Sequence, residues 1–130
     1  MHELSIAMSI IDVAMEEARR LDAIILVIHL RLGPLSGVAR EALISAYGLA
    51  CEGTPLAGSR LKVQEMPIVA WCPTCAGEKQ IPSPQRICCP TCDTPTPRIV
   101  SGQELEIVGL EILNEAIDPH NRSTQAGAQA

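Results

Sequence analysis

The tetrapeptide Cys-Pro-Thr-Cys occurs twice, at 72–75 and at 89–92, in the frame C-x2-C-x13-C-x2-C. Each pair can sit on a tight turn whose thiolates converge on one ion, and two such turns complete a tetrahedron. Cys72, Cys75, Cys89 and Cys92 therefore read as a structural Zn²⁺ site, in which four thiolates leave no coordination position open for hydrolysis. A redox C-x-x-C pair would need a thioredoxin-like βαβ setting, and neither pair has one. Cys88 lies one residue out of register. It could stand in for Cys89, but the repeated tetrapeptide favours Cys89. The segment also needs a cross-link. Its bulky apolar residues are Trp71, Ile81 and Ile87, too few to offset the entropy of ordering residues 70–98, a deficit that a structural zinc can fill.

A second donor set lies at the opposite end of the chemistry. The chain opens Met1-His2-Glu3. The Met1 amine, the His2 amide nitrogen and His2 Nδ1 can close fused five- and six-membered rings around one ion, and Glu3 can add a fourth donor through its amide or carboxylate. Such a nitrogen-rich, nearly planar set suits Ni²⁺ or Cu²⁺. Amides at a helix start have no intrahelical acceptor, so giving them to a metal breaks no helix bond.

The elements that must position these groups follow from periodicity. Leu4, Met8, Ile11, Met15 and Ala18 recur at spacings of four and three, which predicts an amphipathic helix over 4–20. "AIILVIHLRL" is β-branched and apolar, with Ile24, Leu26, Ile28, Leu30 and Leu32 on one face of a predicted strand. "GPLSG" at 33–37 is a loop, and "VAREALISAYGLAC" a second helix ended by Gly53 and Pro55. Strands are predicted at 60–66 and 104–113. Long strands on either side of the cysteines imply a module inserted between two neighbouring strands of one sheet. The expected architecture is α+β: a three-stranded sheet with two helices on one face, made of residues 1–69 and 99–113, plus an inserted four-cysteine zinc-ribbon-like module at 70–98. Residues 114–130 are polar and small and read as a flexible tail.

Composition narrows the partners. The 130 residues are 47% hydrophobic with a formal net charge of −5, which argues against nucleic acid as the main partner. Within the module, Lys79, Arg86 and Arg98 face Glu78 and Asp93, and a zinc tetrathiolate adds negative charge. No secretory leader is expected, because Asp12, Glu16 and Glu17 interrupt the first apolar segment. The longest apolar run is too short for a bilayer, so neither a membrane span nor a membrane partner is expected. A cytoplasmic location follows. His29 reads as an exposed sheet residue, His120 as a solvated tail residue and Cys51 as a small buried residue. With no Ser/His/Asp or Cys/His catalytic group, P-loop or GxGxxG, the chain is not expected to be an enzyme.

"MHELSIAMSI", "LRLGPLSGV", "CEGTPLAGSRL", the paired "CPTC" frame and "ELEIVGLEI", in that order from residue 1 to about 113, resemble the HypA/HybF family of hydrogenase nickel-incorporation proteins. The resemblance implies a nickel metallochaperone. Met1, His2 and Glu3 would bind Ni²⁺, and Cys72, Cys75, Cys89 and Cys92 would hold Zn²⁺. It also implies a HypB-type GTPase as partner and delivery to the large-subunit precursor of [NiFe]-hydrogenase, or to urease. The chain departs from the family pattern in lacking the Phe residues of the second helix, where Tyr47 and Leu49 stand, and in carrying Cys88. The competing readings are a zinc-ribbon module for nucleic acid or a transcription partner, and a structural adaptor that docks another subunit through its zinc loop. A module carried on two strands could also permit strand exchange, and hence a homodimer.

Overall fold

The structure is a computed structural model, and it describes residues 2–114. Met1 and residues 115–130, with His120, lie outside the described residues, so most of the expected tail does too. The elements in order are α1 (Glu3–Leu21), β1 (Ile24–Leu32), a 3-10 turn (Pro34–Ser36), α2 (Arg40–Cys51), β2 (Arg60–Glu65), β3 (Ile68–Cys72), β4 (Gly77–Ile81), β5 (Ile99–Ser101) and β6 (Leu105–Leu113). The fold class is α+β, with two helices and two small sheets. One sheet has the order β2-β1-β6 and the other β4-β3-β5. The two strands that flank the cysteines, expected as neighbours, are in the same sheet but on opposite sides of β1.

The chain divides into two compact units. Among the described residues the first comprises 2–30, 39–63 and 107–114. In it, α1 packs against α2. The buried residues of α1 are Ile6, Ala7, Ile10, Ile11 and Ala14, and those of α2 are Leu43, Tyr47 and Cys51. This stripe on α1 is rotated by about a quarter-turn from the expected one, at about 100° per residue. Leu4 and Met8 are exposed at 45% and 55%, and only Ile11 belongs fully to both stripes. Both stripes have helical spacing. The small side chains of Ala7 and Ala14 let α2 approach closely, and that favours the rotated one. Asp22, left-handed at φ 50°, ends α1 and reverses the chain into β1.

On β1 burial changes phase between Val27 and Ile28. Ile25 and Val27 are buried, then Ile28, Leu30 and Leu32, while Ile24 and Leu26 are exposed. His29, expected to be exposed, is half-buried, and its Nε2 lies 2.6 Å from Glu111 Oε2 on β6. Cys51 is buried as expected. Beside it the Ser59 hydroxyl donates to Leu56 O at 2.6 Å, which leaves the Tyr47 hydroxyl to donate to Ser59 Oγ, also at 2.6 Å.

The second unit comprises Arg31–Val38 and Gln64–Glu106. It is larger than the 70–98 segment and takes in the "GPLSG" loop. Its small core is Ile68, Ala70 and Ile81, with Leu35, Ile87 and Ile99 packed on them. The strands β3 and β4 pair antiparallel from Ile68↔Ile81 to Cys72↔Gly77, and β5 pairs with the other edge of β3 through a bulge. None of these three short strands was expected from periodicity. The loop is clamped where two glycines meet. The Gly33 N–H donates to Glu104 O at 2.8 Å, and the Leu35 N–H to Gly102 O at 2.7 Å. A Cβ on Gly33 would stand 2.1 Å from the Gly102 carbonyl, so only glycine fits there.

Candidate metal centre

Both cysteine turns are built alike. The first begins where β3 ends: Cys72 is the last residue paired with β4, and Pro73 and Thr74 turn the chain to Cys75. The second is framed by backbone bonds from the Cys89 N–H to Thr94 O and from the Asp93 N–H to Cys89 O, each 2.8 Å. In each turn the residue after the second cysteine is left-handed, Ala76 at φ 54° and Asp93 at φ 64°. A left-handed conformation costs a residue such as Ala76 on the order of 1 kcal/mol, and an aspartate such as Asp93 less.

The four sulfurs of Cys72, Cys75, Cys89 and Cys92 all lie within 4.8 Å of one another. The Cys72–Cys92 separation is 3.5 Å and the Cys75–Cys89 separation is 3.9 Å. Regular tetrahedral coordination with Zn–S near 2.3 Å puts sulfurs about 3.8 Å apart. The donor set and its spacing thus fit a tetrahedral ion such as Zn²⁺ and lie well beyond the 2.0 Å of a disulfide. Cys72 and Cys89 are buried, while Cys75 and Cys92 are exposed. Cys88 stays outside the cluster, held in a backbone bridge to Pro95, so the register follows the repeated tetrapeptide.

Neighbouring sulfurs and local hydrogen-bond donors set the sulfurs' protonation. The adjoining Cys92 sulfur, then burial, then the Cys72 and Cys89 sulfurs push the Cys75 thiol up to about 12. The Thr94 hydroxyl and then the Thr94 amide bring the Cys92 thiol down to about 6. Burial pushes Cys89 up, but the amides of Cys92 and Thr91 outweigh it and leave that thiol below its usual range. Four thiolates this close repel one another, and a divalent cation removes the conflict.

Two supporting groups escape a motif search. The Cys75 amide donates to Cys72 Sγ at 3.3 Å. The Thr94 hydroxyl lies 3.1 Å from Cys92 Sγ and 3.0 Å from Thr74 Oγ1, so it joins one turn to the other. Such partners orient metal ligands and tune their basicity. The threonine of the first tetrapeptide was a signal that could have been followed; Thr94 lies outside both. The Arg86 guanidinium pairs with Asp93 on the outer side.

At the other candidate site, His2 is the N-cap of α1, extended at φ −87° and ψ 124°, exposed, and without a side-chain capping bond. Its carbonyl accepts the Ile6 N–H at 3.2 Å, the first bond of the helix. The amide of Glu3 opens the helix and has no intrahelical acceptor. Met1, the third expected donor, is outside the described residues.

Residues 1–112 match the family model described as hydrogenase/urease nickel incorporation, metallochaperone, HypA. A "hydrogenase maturation factor HypA" of Chloroflexus aurantiacus is 46% identical over 112 residues, covering 85% of this chain and 98% of the relative. The protein of that name from Roseiflexus is 45% identical, with 85% and 91% covered, and that from Deinococcus radiodurans 42% identical, with 82% and 89% covered. The solution structure of the Ni metallochaperone HypA from Helicobacter pylori superposes with a TM-score of 0.62 at 23% identity, covering 88% of this chain and all of that one. A second solution structure of a HypA protein gives 0.65 at 23% identity, with 88% and 98% covered. At that identity the likeness concerns the fold.

Proposed function

The chain belongs to the HypA family of hydrogenase/urease nickel-incorporation metallochaperones, and from that premise we propose that it binds Ni²⁺ through Met1, His2 and Glu3 as cargo. It hands the ion to the large-subunit precursor of [NiFe]-hydrogenase, or to urease, in the cytoplasm and with a HypB-type GTPase. Zn²⁺ is the resident ion of Cys72, Cys75, Cys89 and Cys92. The chain performs no covalent chemistry of its own.

The observation that carries the nickel reading is the state of His2. It is exposed, extended and uncommitted to any cap, at the start of a helix whose next residue keeps a free amide. The packed stripe of α1 fixes where that end stands. An exposed terminal chelate can load and unload, which a delivery protein requires. The cysteine cluster is half-buried and framed by two turns, and four thiolates leave no open coordination position, so it suits a structural ion.

The test is a Ni²⁺ titration, followed by native mass spectrometry, of three zinc-loaded proteins: untagged, extended by one residue before Met1, and His2→Ala. The untagged protein should bind one Ni²⁺. The extension turns the amine into an amide and should weaken binding severely, and His2→Ala at least as much, with zinc and fold retained. Equal affinity in all three would remove the N-terminus as the nickel site.

A further inference from the structure

A cavity of about 320 Å³ opens between the end of α1, the start of β1 and the 55–56 turn. Met15, Ala18, Ile24, Pro55 and Leu56 make its wall predominantly apolar, and Arg19 stands on it. Its size is at the low end of ligand-sized cavities. Arg19 forms no ion pair among the described residues. We propose that this cavity is the seat of Ile117, in the chain's own C-terminal segment.

The exit of the chain points to that occupant. The Asn114 side chain donates from Nδ2 to Leu21 O at 3.3 Å, at the last residue of α1. Leu113 lines a smaller cavity of about 220 Å³ with Asp22, Ala23 and Ile24, and all three of these also line the larger one. The chain therefore leaves the described residues at the mouth of the groove. Ile117 follows Asn114 by three residues, a reach of about 10 Å. It is the one large apolar side chain in 115–130, a segment otherwise made of polar residues, Ala, Gly and one Pro. Glu115 and Asp118 flank it, so a carboxylate comes with it to Arg19. A tether this short gives a high effective concentration, so a modest apolar contact suffices for occupancy. The family match ends at residue 112, so the occupant belongs to the part of the chain beyond it.

The methionine methyls report on the groove. Met15 lines it, while Met8, on an exposed face of the same helix, serves as control. In full-length, zinc-loaded protein labelled with ¹³C at the methionine ε-methyls and isoleucine δ-methyls, a Met15–Ile117 nuclear Overhauser effect is expected at every concentration. Ile117→Glu should abolish it and shift the Met15 methyl resonance without moving that of Met8, and Ile117→Leu should leave the Met15 shift near that of the unaltered protein. A Met15 resonance unchanged by Ile117→Glu would overturn the proposal. So would a contact seen only between differently labelled chains in a mixed sample, which would assign the groove to a second copy.

Discussion

The four cysteine sulfurs lie together but not in one environment, and replacing them singly by alanine should expose the difference. Structural zinc binding is worth about 10–16 kcal/mol at neutral pH. An equal share among four thiolates is about 2.5–4 kcal/mol, or about 10²- to 10³-fold in affinity per ligand lost. That applies to Cys75→Ala and Cys92→Ala, because these residues are exposed and water can take the vacant vertex. Cys72 and Cys89 are buried. Their removal leaves a vertex walled by protein, and in Cys72→Ala the Cys75 amide also loses its sulfur acceptor. An unpaired polar group of this kind costs about 1–3 kcal/mol, and Cys89→Ala likewise takes the acceptor of the Thr91 and Cys92 amides, so both variants should lose about tenfold more than the exposed pair. Cys88→Ser should change nothing. Competition against a chromophoric chelator at fixed pH measures all five variants, and hydrogen exchange over Gln64–Glu106 shows whether the unit still folds. Equal losses at the four positions, or larger losses at Cys75 and Cys92, would refute the argument from burial; a loss in Cys88→Ser would refute the register.

Gly33→Ala should destabilise the protein by about 2–4 kcal/mol, from overpacking against backbone and one lost hydrogen bond, while Gly48→Ala, in the open interior of α2, should stabilise it by about 0.5–1 kcal/mol; urea denaturation measures both, and similar effects would sink the reading. Stripping zinc should raise hydrogen exchange across Gln64–Glu106 but leave Ile6–Ala14 protected, because that stripe packs on α2 and contains no cysteine; loss of protection in both would show that the units are not independent. In metal-free protein, Cys92 should be alkylated fastest of the four, with a rate that rises with pH through about 6, since its thiol is held low and the thiolate is the reactive form. Cys75, held high, should react slowest, and zinc should protect both; mass-spectrometric mapping that found the reverse order would remove the role given to Thr94.

How much of this was legible in the residues differs from one part to the next. The cysteine frame is a matter of local covalent spacing: two residues between thiols make a turn, and a repeated tetrapeptide sets which four cysteines meet. The order of the long elements is equally local, because helical and strand periods depend on near neighbours, and α1, β1, α2, β2 and β6 lie within a few residues of their expected bounds. The short strands β3, β4 and β5 were not legible. Three to five residues hold too little periodicity, and each becomes a strand only because a partner from elsewhere in the chain supplies its hydrogen bonds.

Tertiary contact also chose among local equivalents. Leu4-Met8-Ile11-Met15 and Ala7-Ile10-Ile11-Ala14 are both helical stripes, and packing on α2 buries the second. An alternating apolar strand cannot show where its burial changes phase, as it does at Val27–Ile28, because that depends on what covers each part. The His29–Glu111 pair, the clamp of Gly33 on Gly102 and the Thr74–Thr94 link join residues far apart in sequence. The sequence by itself determined which four cysteines meet, since spacing and residue type are local properties. Only the tertiary structure decided which sulfurs are buried, which hydroxyl steadies them and where the chain passes close enough to itself to demand glycine, because burial and close approach belong to pairs of segments and to neither segment alone.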